Sequence, residues 1–243
     1  GTIGSITIAL EEGLVIPKTQ GKIRMEAPAG LIEIEYQQTG QKVDWVRLTN
    51  VKSYVAASGL TIKSSEWGKL TFDVAYGGNF YAIIDPQLNF SGIQDYSASE
   101  LVRNSQEIRK KINQKYPEAF VHPLDTTIKD VSHMLWTGKT ISPEASGRNA
   151  VFYGDKAIDR SPCGTGTSAR LAQWHAKGLL QKGENFVHES FIGSQFIGRV
   201  TEETTIGDIP AIVPTVQGSA HVYGYNTITI DEEDNYAHGF QVI

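Results

Sequence analysis

A single cysteine stands among the 243 residues, and its neighbours decide what its thiol can do. Cys163 lies in Asp159-Arg160-Ser161-Pro162-Cys163-Gly164-Thr165-Gly166-Thr167-Ser168-Ala169-Arg170, after the apolar run Ala150-Val151-Phe152-Tyr153. Pro162 restricts its own φ, and Gly164 and Gly166 let backbone approach a ligand closely. A helix is predicted from near Thr165 through Ala169, Leu171, Ala172 and Trp174 to Gly178. The cysteine therefore falls at a helix mouth, where free N–H groups and the positive end of the dipole can hold an anion such as a carboxylate. The same field is expected to lower the thiol pKa and raise the thiolate fraction. Read on residues alone, Cys163 fits a small buried hydrophobe as well as a catalyst. A cysteine hydrolase with Cys163 as nucleophile and His133 as base also stays open.

The remaining candidates are weaker. His122, His175, His188, His221 and His238 show no metal-ligand spacing with one another or with Cys163, so no metal is expected. Gly77-Gly78-Asn79 reads as a tight turn or bulge between strands rather than a nucleotide cradle. Tyr153 is compatible with lining a site or with a core, and Trp174 with packing.

The elements that must position these residues follow from periodicity. Lys22–Ala27, Leu31–Tyr36 and Val43–Leu48 alternate apolar and polar side chains, a meander with one wet face and a turn around Pro28-Ala29-Gly30. Thr7–Leu14 is predicted as a short helix closed by Gly13. Strands are predicted at Leu70–Tyr76 and Phe80–Ile84. The clearest helix runs from Ser97 to Tyr116, with Ser97 as N-cap, Glu100 in the capping-box position and Pro117 as the stop. The rest returns to short strands, ending with Ala220–Gly224 and Thr227–Ile230. Many strands with two substantial helices make an α+β protein.

Composition narrows the partners. The formal net charge is −5 with no basic stripe, which argues against nucleic acid. No apolar run is long enough to span a bilayer, so no membrane partner is expected. Asp231-Glu232-Glu233-Asp234 reads as a solvated turn. A lone cysteine without a basic, apolar leader fits a reducing, cytoplasmic setting.

Asp159 to Ala169 resembles the second cysteine motif of the proline racemase family. The resemblance extends over Gly1-Thr2-Ile3-Gly4, Ala27-Pro28-Ala29-Gly30-Leu31, Thr49-Asn50-Val51, Asp73 to Phe80, His188-Glu189-Ser190 and His238-Gly239-Phe240, nearly the whole chain. It implies a diaminopimelate epimerase-like α+β fold of two similar lobes, each a mostly antiparallel sheet wrapped around a helix. Residues 1–50 would complete a first lobe, 51–230 form the second around Cys163, and 231–243 return to the first. It also implies an isomerase without cofactor, in which two cysteines flank the substrate α-carbon, one removing the proton and the other delivering one to the opposite face. Cys163 matches the second cysteine, Gly164 and Thr165 the backbone donors to the carboxylate, and Asp159 the residue that holds the ring nitrogen.

Ser132–Gly138 and Asn149–Ile158 resemble the branch that acts on 4-hydroxyproline, converting trans-4-hydroxy-L-proline to cis-4-hydroxy-D-proline. There His133 matches a substrate-contacting histidine, and a polar wall suits a hydroxylated ring. The dehydratase branch has threonine where Cys163 stands. A proline racemase is the alternative, and homodimers are compatible with the family. The family's first motif reads Met-Cys-Gly-His-Gly-Thr or similar, and this chain starts at what matches its final Gly-Thr. With no first cysteine, the 243-residue polypeptide by itself is expected to bind a small carboxylate without racemising it.

Overall fold

The computed structural model describes residues 1–27 and 30–240. Pro28 and Ala29 of the expected hairpin turn, and residues 241–243 of the expected C-terminal segment, lie outside that range.

Fourteen strands and three α-helices are defined among the described residues. Helix α1 (Thr2–Glu11) precedes the meander β1 (Lys22–Ala27), β2 (Gly30–Thr39) and β3 (Lys42–Thr49). The hairpin β4 (Tyr54–Ser64) and β5 (Gly68–Tyr76) leads to β6 (Phe80–Ile84), α2 (Ala98–Lys115), the small hairpin β7 (Val121–His122) and β8 (Asp125–Lys129), and β9 (Val131–Gly138). Then come β10 (Gly147–Tyr153), β11 (Ala157–Ile158), α3 (Gly164–Ala176), β12 (Asn185–Glu189), β13 (Gln195–Ile206) and β14 (Ile209–Gly218).

One hydrogen-bonded path, β1-β2-β3-β14-β13-β12-β10-β9-β6-β5-β4, carries almost all the strands, with β11 paired to β10. Most neighbours are antiparallel, but β6 with β9 and β10 with β12 are parallel. Near its start β14 also meets the residue before β4, through reciprocal bonds Ser53 N–H to Ile212 O and Ile212 N–H to Ser53 O (2.9 and 2.8 Å). The strands from β4 to β14 thereby close around α3, whose residues from Gly166 to Gln173 are all buried. The last residues of β14 (Thr215–Gly218) pair with β3, so this strand joins the β1–β3 meander to the strands around α3. The α+β architecture with a helix wrapped by sheet is as the sequence implies.

Strand alternation sorts the core into layers. Phe72, Val74, Phe80, Ala82, Ile84, Met134, Trp136, Ala150 and Phe152 face outward onto α2 and its neighbours. Ala75, Tyr81, Ile83, Leu135 and Val151 face inward onto Ala169 of α3, beside Cys163. A third cluster joins Ile3, Ile6 and Leu10 of α1 to Ile34, Val46, Leu48 and Val216. Helix α2 has the full capping box, Ser97 with Glu100, and presents Leu101, Ile108 and Ile112 to the sheet. Inside the barrel, α3 is tied down by Arg170 to Asp85 (2.7 Å), Gln173 Nε2 to Asp73 (2.6 Å) and Lys177 to Asp73 (2.6 Å).

Three expectations are corrected. Helix α1 starts at Thr2, five residues earlier than predicted, because Ile3 and Ile6 add buried contacts that outweigh the cost of Gly4 within the helix. Gly13 does follow its end in the left-handed region (φ 64°). Residues 220–224 and 227–230 form no ladder; most of them lie exposed with no strand beside them. The C-terminal strands are not all short, since β13 and β14 run 12 and 10 residues as a paired ribbon.

Candidate active site

The loop Asp159–Cys163 joins the barrel wall to α3, and each of its turns is held by a short polar side chain. Asp159 N–H donates to Val151 O (2.8 Å), continuing the sheet by one bond. Ser161 N–H donates to Asp159 Oδ1 (2.8 Å), and Cys163 N–H to Ser161 Oγ (3.1 Å). Asn149 Nδ2 donates to Pro162 O (2.9 Å) from the inner face of β10. Cys163 is the N-cap of α3 with φ 65°, a strained backbone for a side chain with a Cβ. Its Sγ accepts from Gly166 N–H (3.4 Å) and Thr167 N–H donates to Cys163 O (2.8 Å). Among the described residues, the N–H groups of Gly164 and Thr165 make no hydrogen bond, so both remain available to an outside acceptor.

Gly77 and Gly78 are what let α3 sit here. They turn β5 into β6 as expected, but a Cβ on Gly77 would strike Thr165 O and Ala169 N, and one on Gly78 would crowd Thr165 Cγ2. These glycines serve close approach to the helix as well as the turn. Asn50, just after β3, donates through Nδ2 to Gly77 O (2.9 Å) and Ser168 Oγ (2.8 Å).

A cleft of about 800 Å³ opens in front of the helix mouth. Asp159, Cys163, Gly164 and Thr165 line it together. Gly1, Thr2 and Ile3, at the N-terminus of α1, form another part of its wall, so two helix N-termini open on one space. Asp125, Thr127 and Lys129 of β8 border it as well. A separate groove across β1, β2, β3, β14, β13 and β12 is lined by mixed charges such as Arg24, Glu33, Arg47 and Arg199, and lies away from the thiol.

His133 is set one layer back from the other candidates. Its ring packs on Tyr81 (centroids 4.8 Å apart), and Nδ1 lies 2.7 Å from Ser132 Oγ, while Ser132 itself borders the cleft. Burial, with the Arg109 charge, drops the His133 pKa to about 4 despite the opposing charge of Asp159, so the ring is neutral at physiological pH. Tyr81 hydroxyl stands 3.3 Å from Cys163 Sγ, and His133 makes no hydrogen bond with the sulfur. The arrangement lacks the thiol–imidazole pair of a cysteine hydrolase.

The expected acidified thiol is not what the surroundings produce. Burial pushes the Cys163 thiol up, and the nearby Asp159 charge adds to this. Hydrogen bonds from Tyr81, Gly166 and Thr165 offset only part of it. A negative sulfur loses more hydration here than its few donors return. Tyr153 is corrected too: it is 45% exposed at the end of β10 and belongs to neither the cleft nor the core.

The sequence matches the proline racemase family over residues 1–241. The chain belongs to that family. Among its relatives is a 4-hydroxyproline 2-epimerase of Spirosoma linguale, 57% identical over 100% of this chain and 72% of the relative. Another, 4-hydroxyproline 2-epimerase 2 of Brucella anthropi, is 56% identical over the same shares. A crystal structure of a hydroxyproline epimerase from Agrobacterium vitis with bound trans-4-hydroxy-L-proline superposes with a TM-score of 0.88 at 32% identity, covering 99% of this chain and 69% of that one. A phenazine biosynthesis protein of the PhzF family from Bacillus anthracis shares the fold alone (TM-score 0.60, 14% identity).

Within this proline racemase family member, sequence reasoning brought Asp159, Cys163, Gly164 and Thr165 to one cleft and missed Tyr81. Its position in Phe80–Ile84 carried a signal. In a strand buried on both faces, Tyr81 and Ile83 alternate against Phe80, Ala82 and Ile84, and the one polar group on the inner face needs a partner.

Proposed function

We propose that the protein epimerises 4-hydroxyproline at Cα, interconverting trans-4-hydroxy-L-proline and cis-4-hydroxy-D-proline, by acid/base catalysis between two thiols. The observation that carries this reading is the cleft itself: the Cys163 thiol, the Asp159 carboxylate and two free helix N–H groups face a space bordered by a second helix N-terminus. An amino acid fits that set. The free N–H groups of Gly164 and Thr165 donate to its carboxylate, where both helix dipoles also favour negative charge. Asp159, with Oδ1 turned to Ser161, offers its other oxygen to the ring ammonium. Cys163 Sγ then faces Cα–H. Deprotonation delocalises charge onto the carboxylate, and the same donors stabilise it as it develops. His133, through Ser132, supplies polarity for the ring hydroxyl.

The second face of Cα needs a second thiol. These 243 residues hold one, so the polypeptide by itself should bind hydroxyproline without racemising it. We assign 1–50 to the first lobe, 51–230 to the second and 231–243 to a segment returning to the first. The hydrogen bond from Tyr225 to Glu12 (2.8 Å) carries the chain back beside α1 shortly before that last segment, after β14 has paired with β3. A cytoplasmic homodimer suits this reading; among the described residues no helix is long and apolar enough to cross a membrane.

In the protein carrying both thiols, incubation with 4-hydroxyproline in D2O should place deuterium at Cα of the product. Cys163→Ser should cut that exchange by about a thousandfold or more, in the range of losing a principal proton-transfer group. Unchanged exchange in that variant would sink the proposal.

A further inference from the structure

We infer that Tyr81 is a positioning residue that points the Cys163 thiol at the cleft, through a hydrogen-bonded chain running from Thr165 to Tyr81 to the sulfur. The inference deepens the epimerase reading and rests on it for the step served, but its geometry stands independently. Tyr81 is fully buried on the inner face of β6. Its hydroxyl lies 2.6 Å from Thr165 Oγ1 and 3.3 Å from Cys163 Sγ, while Thr165 Oγ1 lies 3.7 Å from the same sulfur. Gly166 keeps this triangle closed, since a Cβ there would meet both Sγ and the Tyr81 ring at 3.3 Å. His133 backs the ring from β9, its register partner in the parallel pair.

A phenol has one proton to donate and lone pairs to accept with. Thr165 can donate to Tyr81, which leaves the Tyr81 O–H for the sulfur. Gly166 N–H already donates to Sγ. With two donors directed at it from the barrel side, the sulfur keeps its own S–H, or its substrate-facing lone pair, for the cleft. Burial holds the Tyr81 pKa well above its ordinary value, so the phenol stays protonated and does not compete for the proton that moves between Cα and sulfur. In the step itself the Cα–H bond breaks as S–H forms, or the reverse, and Tyr81 keeps its hydrogen throughout. The titratable groups facing the sulfur are Tyr81 from β6 and Asp159 from the loop before α3, with His133 from β9 behind the phenol.

The test is Tyr81→Phe, which removes one oxygen and leaves the ring. Iodoacetamide alkylation, followed by mass spectrometry on the Cys163 peptide across pH, reads the thiol directly. The midpoint should rise by about one pH unit, a tenfold smaller thiolate fraction at a given pH. Exchange at Cα should fall about ten- to hundredfold, with KM for hydroxyproline changed less than threefold. Thr165→Val should move the midpoint the same way by less, and Thr165→Ser should restore it. An unmoved midpoint in Tyr81→Phe overturns the inference, and so does a raised midpoint that Thr165→Val and Tyr81→Phe show only together with a lost native melting transition. If the midpoint moves as expected while the protein carrying both thiols and native Tyr81 exchanges no deuterium, the Tyr81 assignment stands and the epimerase reading falls.

Discussion

Cys163 and His133 illustrate how burial decides the behaviour of a titratable group. The thiol sits at a helix N-terminus and still titrates high, because the cleft floor desolvates sulfur more than the few nearby donors compensate. A high thiol pKa suits an acid as much as a base, since in a two-thiol reaction one partner starts protonated. His133 is the opposite case, a neutral ring that can relay polarity through Ser132 but carries no charge for catalysis. Its effect should therefore fall on substrate choice. His133→Leu is expected to lower kcat/KM for 4-hydroxyproline about tenfold, while any turnover of proline changes little, because only the hydroxylated ring loses a polar partner. Equal losses on both substrates, in parallel progress curves, would point instead to a packing role against Tyr81.

Helix α3 and the β5–β6 turn form the element on which the site depends. The helix is short, 13 residues, and begins at the reactive group, so any shift of its first turn moves Sγ, Gly164 and Thr165 together. Gly77 is the contact that sets this placement, with backbone atoms of Thr165 and Ala169 where a Cβ would go. Backbone cannot step aside as a side-chain tip can. Gly77→Ala should cost about 3 kcal/mol or more, as overpacking against a fixed core does. A drop in Tm of several degrees together with lost exchange is the expected result. A variant with native Tm and native kcat would show that the helix has slack the structure does not suggest.

At the scale of the whole molecule, the protein carries buried neutral imidazoles that acid must charge. His188 is enclosed, with Nδ1 near Thr167 Oγ1 (2.9 Å) and Nε2 unpartnered among the described residues, and burial beside the Arg170 charge drops its pKa to about 3. For His133 burial, with the Arg109 charge adding and the Asp159 charge opposing, brings the value down to about 4. Both pKa values lie below the unfolded value, so protons bind the unfolded chain more readily. Stability is complete above about pH 6.5 and declines as pH falls toward the folded values, by up to roughly 4 kcal/mol at pH 5 for the two together. Urea midpoints at pH 7, 6 and 5 should step downward, and His188→Asn should flatten the slope by about half. A midpoint constant over that range would mean that neither ring is buried neutral.

Much was legible before any coordinates. The capping box Ser97–Glu100, the meander β1–β3 and strand β6 follow from local chemistry and period, because each signal lies within a few neighbouring residues. The motif around Cys163, with Pro162, Gly164 and Gly166 ahead of a helical pattern, already announced a helix mouth, and the family resemblance implied the residues that line it. Three things required the tertiary structure. Tyr81 becomes a partner of Cys163 only when β6 and α3, 82 residues apart in the chain, share the inside of one barrel. The start of α1 and the absence of ladders over residues 220–230 depend on which surfaces find an apolar or strand neighbour, and no local propensity records that. The thiol's pKa was decided the same way. A helix dipole can be read from a helix pattern, but desolvation depends on everything that surrounds the sulfur, and here it is the larger effect.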